Sequence, residues 1–99
     1  MTKKGAKPKR AVIPASVKSI AAVYDALARD LALPAHFGRN LDALYDALTG
    51  DVAGPFEIAV EDAKALESAL GAQGTRLLAL LREVAEARSD AKIAIRGGD

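Results

Sequence analysis

The stretch HFGRNLDALYDALTG, His36 to Gly50, carries two aspartates, Asp42 and Asp46, four residues apart. On a helix that spacing stacks them on one flank, where like charges cost about 0.2–0.5 kcal/mol. No lysine or arginine stands four residues from either. Three kinds of chemistry use such carboxylates. Two can act as general acid and base when their environments split their pKa values. With His36, the only histidine, they can ligate a metal. They can also dock on cationic groups that another molecule supplies.

The first two find little support. Nothing in the flanking sequence buries the pair, and one histidine with two aspartates at loop–helix spacing is a sparse ligand set. The chain has no phosphate-binding glycine loop, nucleophile elbow or zinc spacing. It reads as a non-enzyme with no catalytic residue, cofactor or metal. For the third, Asn40 is a good N-cap, which places Asp42 in the first helical turn. There the helix dipole favours an acid by about 0.3–1 kcal/mol, so Asp42 has a structural reason to be present. Asp46, in the second turn, has none. Glu83 is similar: its helical neighbours Ala79, Leu80, Glu86 and Ala87 include no cation, whereas Glu86 has Arg82 four residues before it. Ordinary solvated acids and an acidic docking surface both fit this pattern.

The elements that would position these residues follow from apolar spacing. RAVIPA, Arg10 to Ala15, reads as a buried strand ended by Pro14. Ile20, Val23, Tyr24, Leu27 and Leu31 form one helical stripe, with Asp25 and Arg29 paired on the exposed side, and Pro34 stops this helix. HFGRN is a connecting loop in which Gly38 calls for a positive φ or a close approach. Leu41, Leu44, Tyr45 and Leu48 give a second helix to about Thr49, with Gly50 just past its end. Phe56, Ile58 and Val60 alternate as a second strand. Glu61 or Asp62 opens a third helix that Gly71 closes. Thr75 caps a fourth, with Leu77, Leu80, Leu81, Val84 and Arg88 as its stripe, and AKIAIR is the last strand. Strands separated by helices imply an α/β fold, a small three-stranded parallel sheet packed with about four helices.

Composition sets the outer limits. The chain has 99 residues, 51% hydrophobic and 27% charged, a globular balance for one domain. Aromatics are only 4%, so aliphatic side chains must fill the core. The net charge of +1 conceals a division. Lys3, Lys4, Lys7, Lys9 and Arg10 fall within the first ten residues, which hold no acid. The remainder has nine basic and thirteen acidic residues, a net of −4. Residues 1–9 read as a disordered basic tail and 10–99 as the folded domain. The tail is either a solubilising extension or a weak attractor of RNA or charged surfaces. An acidic body disfavours nucleic acid and favours a cationic partner. With no cysteine, no apolar run near the roughly 20 residues of a membrane span and no signal-peptide core, the protein reads as cytoplasmic.

LALPAHFGRNLDALYDALTG, Leu31 to Gly50, resembles the central segment of the barstar family, intracellular bacterial inhibitors of a secreted ribonuclease. RAVIPA, GPFEIAV and LLREV extend the resemblance over residues 10 to about 96. The resemblance implies a three-stranded parallel sheet with packed helices. It also implies that an acidic helix and its preceding loop plug a ribonuclease active site, as in an antitoxin or immunity protein. Asp42 and Asp46 match the family's two helix aspartates, Asp46 the dominant one. Asn40, Gly50 and Glu83 match the helix-opening asparagine, the glycine after the helix and an inhibitory glutamate. The implied partner-binding set is His36, Gly38, Arg39, Asn40, Leu41, Asp42, Tyr45, Asp46, Thr49, Gly50 and Glu83. The implied partner is a basic, extracellular-type ribonuclease or related toxin, with no membrane involved. The chain departs from the family at His36, in place of a tyrosine, at Tyr45 and Asp51, each in place of a tryptophan, at Ala87, where an acid is expected, and at Arg39, a cation in place of an acid. These departures point away from barnase and toward a different cognate nuclease. A regulatory interaction module on the same fold, with a partner that is not a nuclease, is the alternative.

Overall fold

The computed structural model describes residues 9–34 and 36–97. The expected basic tail lies outside these residues except for Lys9, which opens the first strand, and the last two residues also lie outside. The order is β1 (Lys9–Ile13), α1 (Ile20–Leu31), α2 (Leu41–Asp46), a π-helical turn (Ala47–Asp51), β2 (Phe56–Val60), α3 (Ala63–Leu70), α4 (Ala72–Ala87) and β3 (Ala91–Ile95). The sheet is parallel throughout, in spatial order β1-β2-β3. Parallel neighbours need a crossover, and α1–α2 and α3–α4 supply the two. This is the expected architecture.

Register aligns the apolar positions in rows. Ala11, Ile58 and Ile93 pair across the sheet, and so do Ile13, Val60 and Ile95. They pack with Leu27, Leu31, Leu44, Leu48, Leu77 and Leu81 in one core. The alternate positions, among them Arg10, Val12, Glu57, Ala59 and Ala94, line an open depression instead.

Helix ends show where local signals hold and where packing replaces them. Ser19 and Asp62 cap α1 and α3 by accepting bonds from the backbone N–H of Ala22 and Ala65, each at 3.1 Å. α1 stops at Ala32, in the left-handed region at φ 55°, before Pro34 is reached. The fourth helix is not capped by Thr75. It starts at Ala72 directly after Gly71, which turns at φ 63° between the two helices. Thr75 lies within α4 and donates its hydroxyl to Glu67 at 3.1 Å. Gly74 makes this junction tight: a Cβ there would stand 2.9 Å from the Leu66 carbonyl oxygen. The stripe of α4 is also broader than expected, because Leu78 is buried with Leu77, Leu81 and Val84 while Leu80 is only half-buried. The expected Asp25–Arg29 pair does not form. Arg29 turns to Asp30 at 2.9 Å, and Asp25 is engaged by a more distant residue.

Candidate functional site

The loop before α2 is built from local bonds. Asn40 accepts from the Ala43 N–H at 2.8 Å and donates its side-chain amide to the Gly38 carbonyl at 3.2 Å. Gly38 sits at a close approach, where a Cβ would lie 3.2 Å from that of Ala43, tighter than an ordinary contact. The positive φ falls on Arg39, at 53°. That backbone turn sends the Arg39 side chain back over α1. Its guanidinium pairs with Asp25 at 2.9 Å, lies 5.7 Å above the Tyr24 ring and reaches the Ala21 carbonyl at 3.4 Å. Tyr24 packs edge-on against Phe37, and burial raises its phenol pKa while Arg39 acts in the opposite direction.

The apolar residues of α2 fix its exposed flank. Leu44 and Leu48 are fully buried and Ala47 nearly so, which leaves Asp42 and Asp46 exposed and Tyr45 half-buried. The helix does not end near Thr49. It widens into the π turn, closed by the bond from the Val52 N–H to the Ala47 carbonyl at 2.9 Å. Thr49 donates its hydroxyl to the Tyr45 carbonyl at 2.7 Å, and Gly50 sits inside the turn rather than past its end. The widened turn has its own clamp. Arg88, expected on the α4 stripe, is instead the extended residue after α4. It donates to the carbonyls of Leu48 at 3.1 Å and Val52 at 2.6 Å. It also grips Asp90 through two bonds, of 2.9 and 2.8 Å, and lies 5.0 Å above the Phe56 ring. The Arg88 hydrogen bonds lower the Asp90 pKa.

Helices α2 and α4 enclose an open groove of about 620 Å³. Leu41, Asp42, Tyr45 and Asp46 line it from α2, and Ala79, Leu80, Glu83 and Arg76 from α4. Packing therefore brings Glu83 to the same groove as the two aspartates, from 37 positions beyond Asp46 in the chain. Among the described residues none of the three acids forms an ion pair within 4 Å. Asp46 also borders a smaller depression of about 240 Å³ with His36, Gly38 and Asp51. Asp42 borders a third, of about 370 Å³, with Arg39, Asn40 and Arg76. No group of three or more His, Asp or Glu side chains suited to a metal occurs among the described residues. Arg76 is absent from the expected set. Its spacing from Leu80 and Glu83, at i, i+4 and i+7 along one helix flank, is the signal that would have found it.

A three-stranded parallel sheet backed by helices defines an α/β domain, and this one carries three acids on an exposed groove. The sequence model of the family described as Barstar (barnase inhibitor) matches residues 10–97, and the chain belongs to that family. No curated individual protein matches the chain. The family is one of inhibitors, and its fold is the one observed. Among the described residues no helix is long and apolar enough to cross a membrane.

Proposed function

We propose that this protein is a non-enzymatic inhibitor of a basic ribonuclease or related toxin. It docks α2, the loop from His36 to Asn40 and Glu83 of α4 over the nuclease's cationic active site. The reading rests on one observation: Asp42, Asp46 and Glu83 converge on one exposed groove with no ion pair of their own among the described residues. A ribonuclease site must be cationic to hold phosphate, so unpaired carboxylates on a fixed frame are complementary to it. The frame is rigid because Leu44, Ala47 and Leu48 are buried and Arg88 clamps the turn that follows. Little ordering is then left for the moment of binding, and opposite fields speed encounter. The roles extend to Leu41 and Tyr45, the apolar lining of the groove, and to Thr49 and Gly50 in the turn that follows α2. The site of action is the cytoplasm of the producing cell.

The test is ribonuclease activity of barnase, and of a small ribonuclease from the same source, with the protein in slight excess. Inhibition by the wild type that is relieved by Asp46→Ala is expected. Burying a charge without its partner costs about 3–5 kcal/mol, so binding should weaken by at least about 100-fold. Asp46 is exposed and among the described residues makes no ion pair, so stability should change by no more than about 0.5 kcal/mol. Undiminished inhibition by Asp46→Ala, or a large loss of its stability, would refute the assignment.

A further inference from the structure

The groove is not uniformly acidic at its edge. Leu41, Asp42 and Arg76 line both the acidic groove and the adjoining depression, and thus form the wall between them. On one side of that wall stand Asp46 and Glu83. On the other stands Arg39, with Asn40 and Gln73. The charged groups on the groove side are three acids and one base; on the other side they are two bases and one acid. The bases gather on one side of Asp42 and the acids on the other, with Asp25 offsetting part of the Arg39 charge through their 2.9 Å pair.

One of the two bases is held in place. Arg39 leaves the chain at a positive φ and is tethered by Asp25, the Tyr24 ring and the Ala21 carbonyl, yet its side chain is still 47% exposed. Arg76 projects from α4, exposed, and makes no ion pair among the described residues. A partner whose facing surface is cationic throughout would meet like charge at Arg39 and Arg76 as it covered Asp42. A partner with a carboxylate at that edge would find two guanidinium groups, of which Arg39 is fixed by three contacts.

From this charge pattern, and resting on the inhibitor reading above, we infer that the docking surface is bipolar. The ribonuclease that it fits carries a carboxylate beside its cationic site, facing Arg39 and Arg76. These two arginines are specificity determinants that select against nucleases lacking that acid.

A panel made from barnase tests this. Each lysine and arginine on the enzyme's active-site face is replaced in turn by glutamate, and binding of the full chain is measured by surface plasmon resonance. At least one glutamate variant should bind the wild-type chain 10-fold or more tighter than unmodified barnase does. Arg39→Glu or Arg76→Glu should abolish that gain, and should bind unmodified barnase more tightly than the wild type. No gain anywhere in the panel, or a gain that survives both substitutions, overturns the proposal. Arg39→Glu breaks the Asp25 pair, so Arg76→Glu, which removes no ion pair among the described residues, guards against misfolding, with circular dichroism as the control. Asp46→Ala separates the two ideas. It should weaken binding across the whole panel, and if it does not, the inhibitor reading and the bipolar surface fall together. If it weakens binding while the arginine reversals change nothing, only the bipolar surface falls.

Discussion

Arg88 joins the end of the acidic helix to the last strand, and removing its guanidinium measures how much of the α2 frame depends on it. The substitution is Arg88→Met, which retains an apolar stem over Phe56 and deletes every donor. Two carbonyls, those of Leu48 and Val52, lose a charged donor at 3.1 and 2.6 Å. Hydrogen bonds to a charged group contribute about 1.5–3 kcal/mol each, which sets a ceiling of about 6 kcal/mol for the two. Both carbonyls lie beside exposed residues, Gly50, Asp51 and Ala53, so water can recover part of the loss. The Arg88 side chain is itself 17% exposed. A destabilisation of about 2–4 kcal/mol is therefore expected. In a domain of this size that corresponds to a fall in Tm on the order of 10–20 °C. Urea unfolding followed by far-ultraviolet circular dichroism measures it, with an unchanged m value showing that cooperativity persists. A loss below about 1 kcal/mol would refute the clamp. The same pair makes a prediction with pH. Arg88 lowers the Asp90 pKa in the folded state, so its stabilising contribution is present above the ordinary carboxylate pKa and is lost as pH falls through the folded value. In Arg88→Met that part of the acid sensitivity should vanish.

Two further outcomes follow from the packing. Gly74→Ala places a Cβ 2.9 Å from the Leu66 carbonyl oxygen and 3.1 Å from the Glu67 Cα, both backbone atoms that cannot swing away. The α3–α4 junction must open, at a cost of about 1–3 kcal/mol in urea unfolding, whereas helix propensity alone would make the change stabilising. Burial raises the Tyr24 pKa, so the phenol's contribution is present below the ordinary tyrosine value and is lost as pH rises through the folded one. Absorbance titration at alkaline pH should show one tyrosine ionising late, and Tyr24→Phe should remove that phase.

The order of elements was legible because its causes are local. Alternation marks Phe56–Val60, a 3.6-residue stripe marks α1, and Asn40 and Asp62 cap the helices that follow them. Local rules failed where a residue's partner was remote. Thr75 looked like a cap because nothing near it in sequence reveals that Gly74 is pressed against α3, which allows α4 to start at Ala72. Asp25 and Arg29 have favourable spacing, yet Asp25 pairs with Arg39 from the following loop. Gly50 looked like a terminus because the Arg88 donors that hold the widened turn come from 36 and 40 residues away.

For the candidate site the division is similar. Residue types and spacing alone place Asp42 and Asp46 on one flank of a capped helix, leave Glu83 without a cation within its own helix, and make the body of the chain acidic. Each depends on residue type and on a spacing of a turn or two, over which backbone geometry is fixed. It took the packing of the folded chain to bring these three acids to one groove between α2 and α4, to join Arg76 to them, and to turn Arg39 back onto Asp25 and Tyr24. Those outcomes depend on which buried leucines set the distance between helices and on a single positive φ at Arg39. Neither is encoded in the spacing of the charged residues themselves.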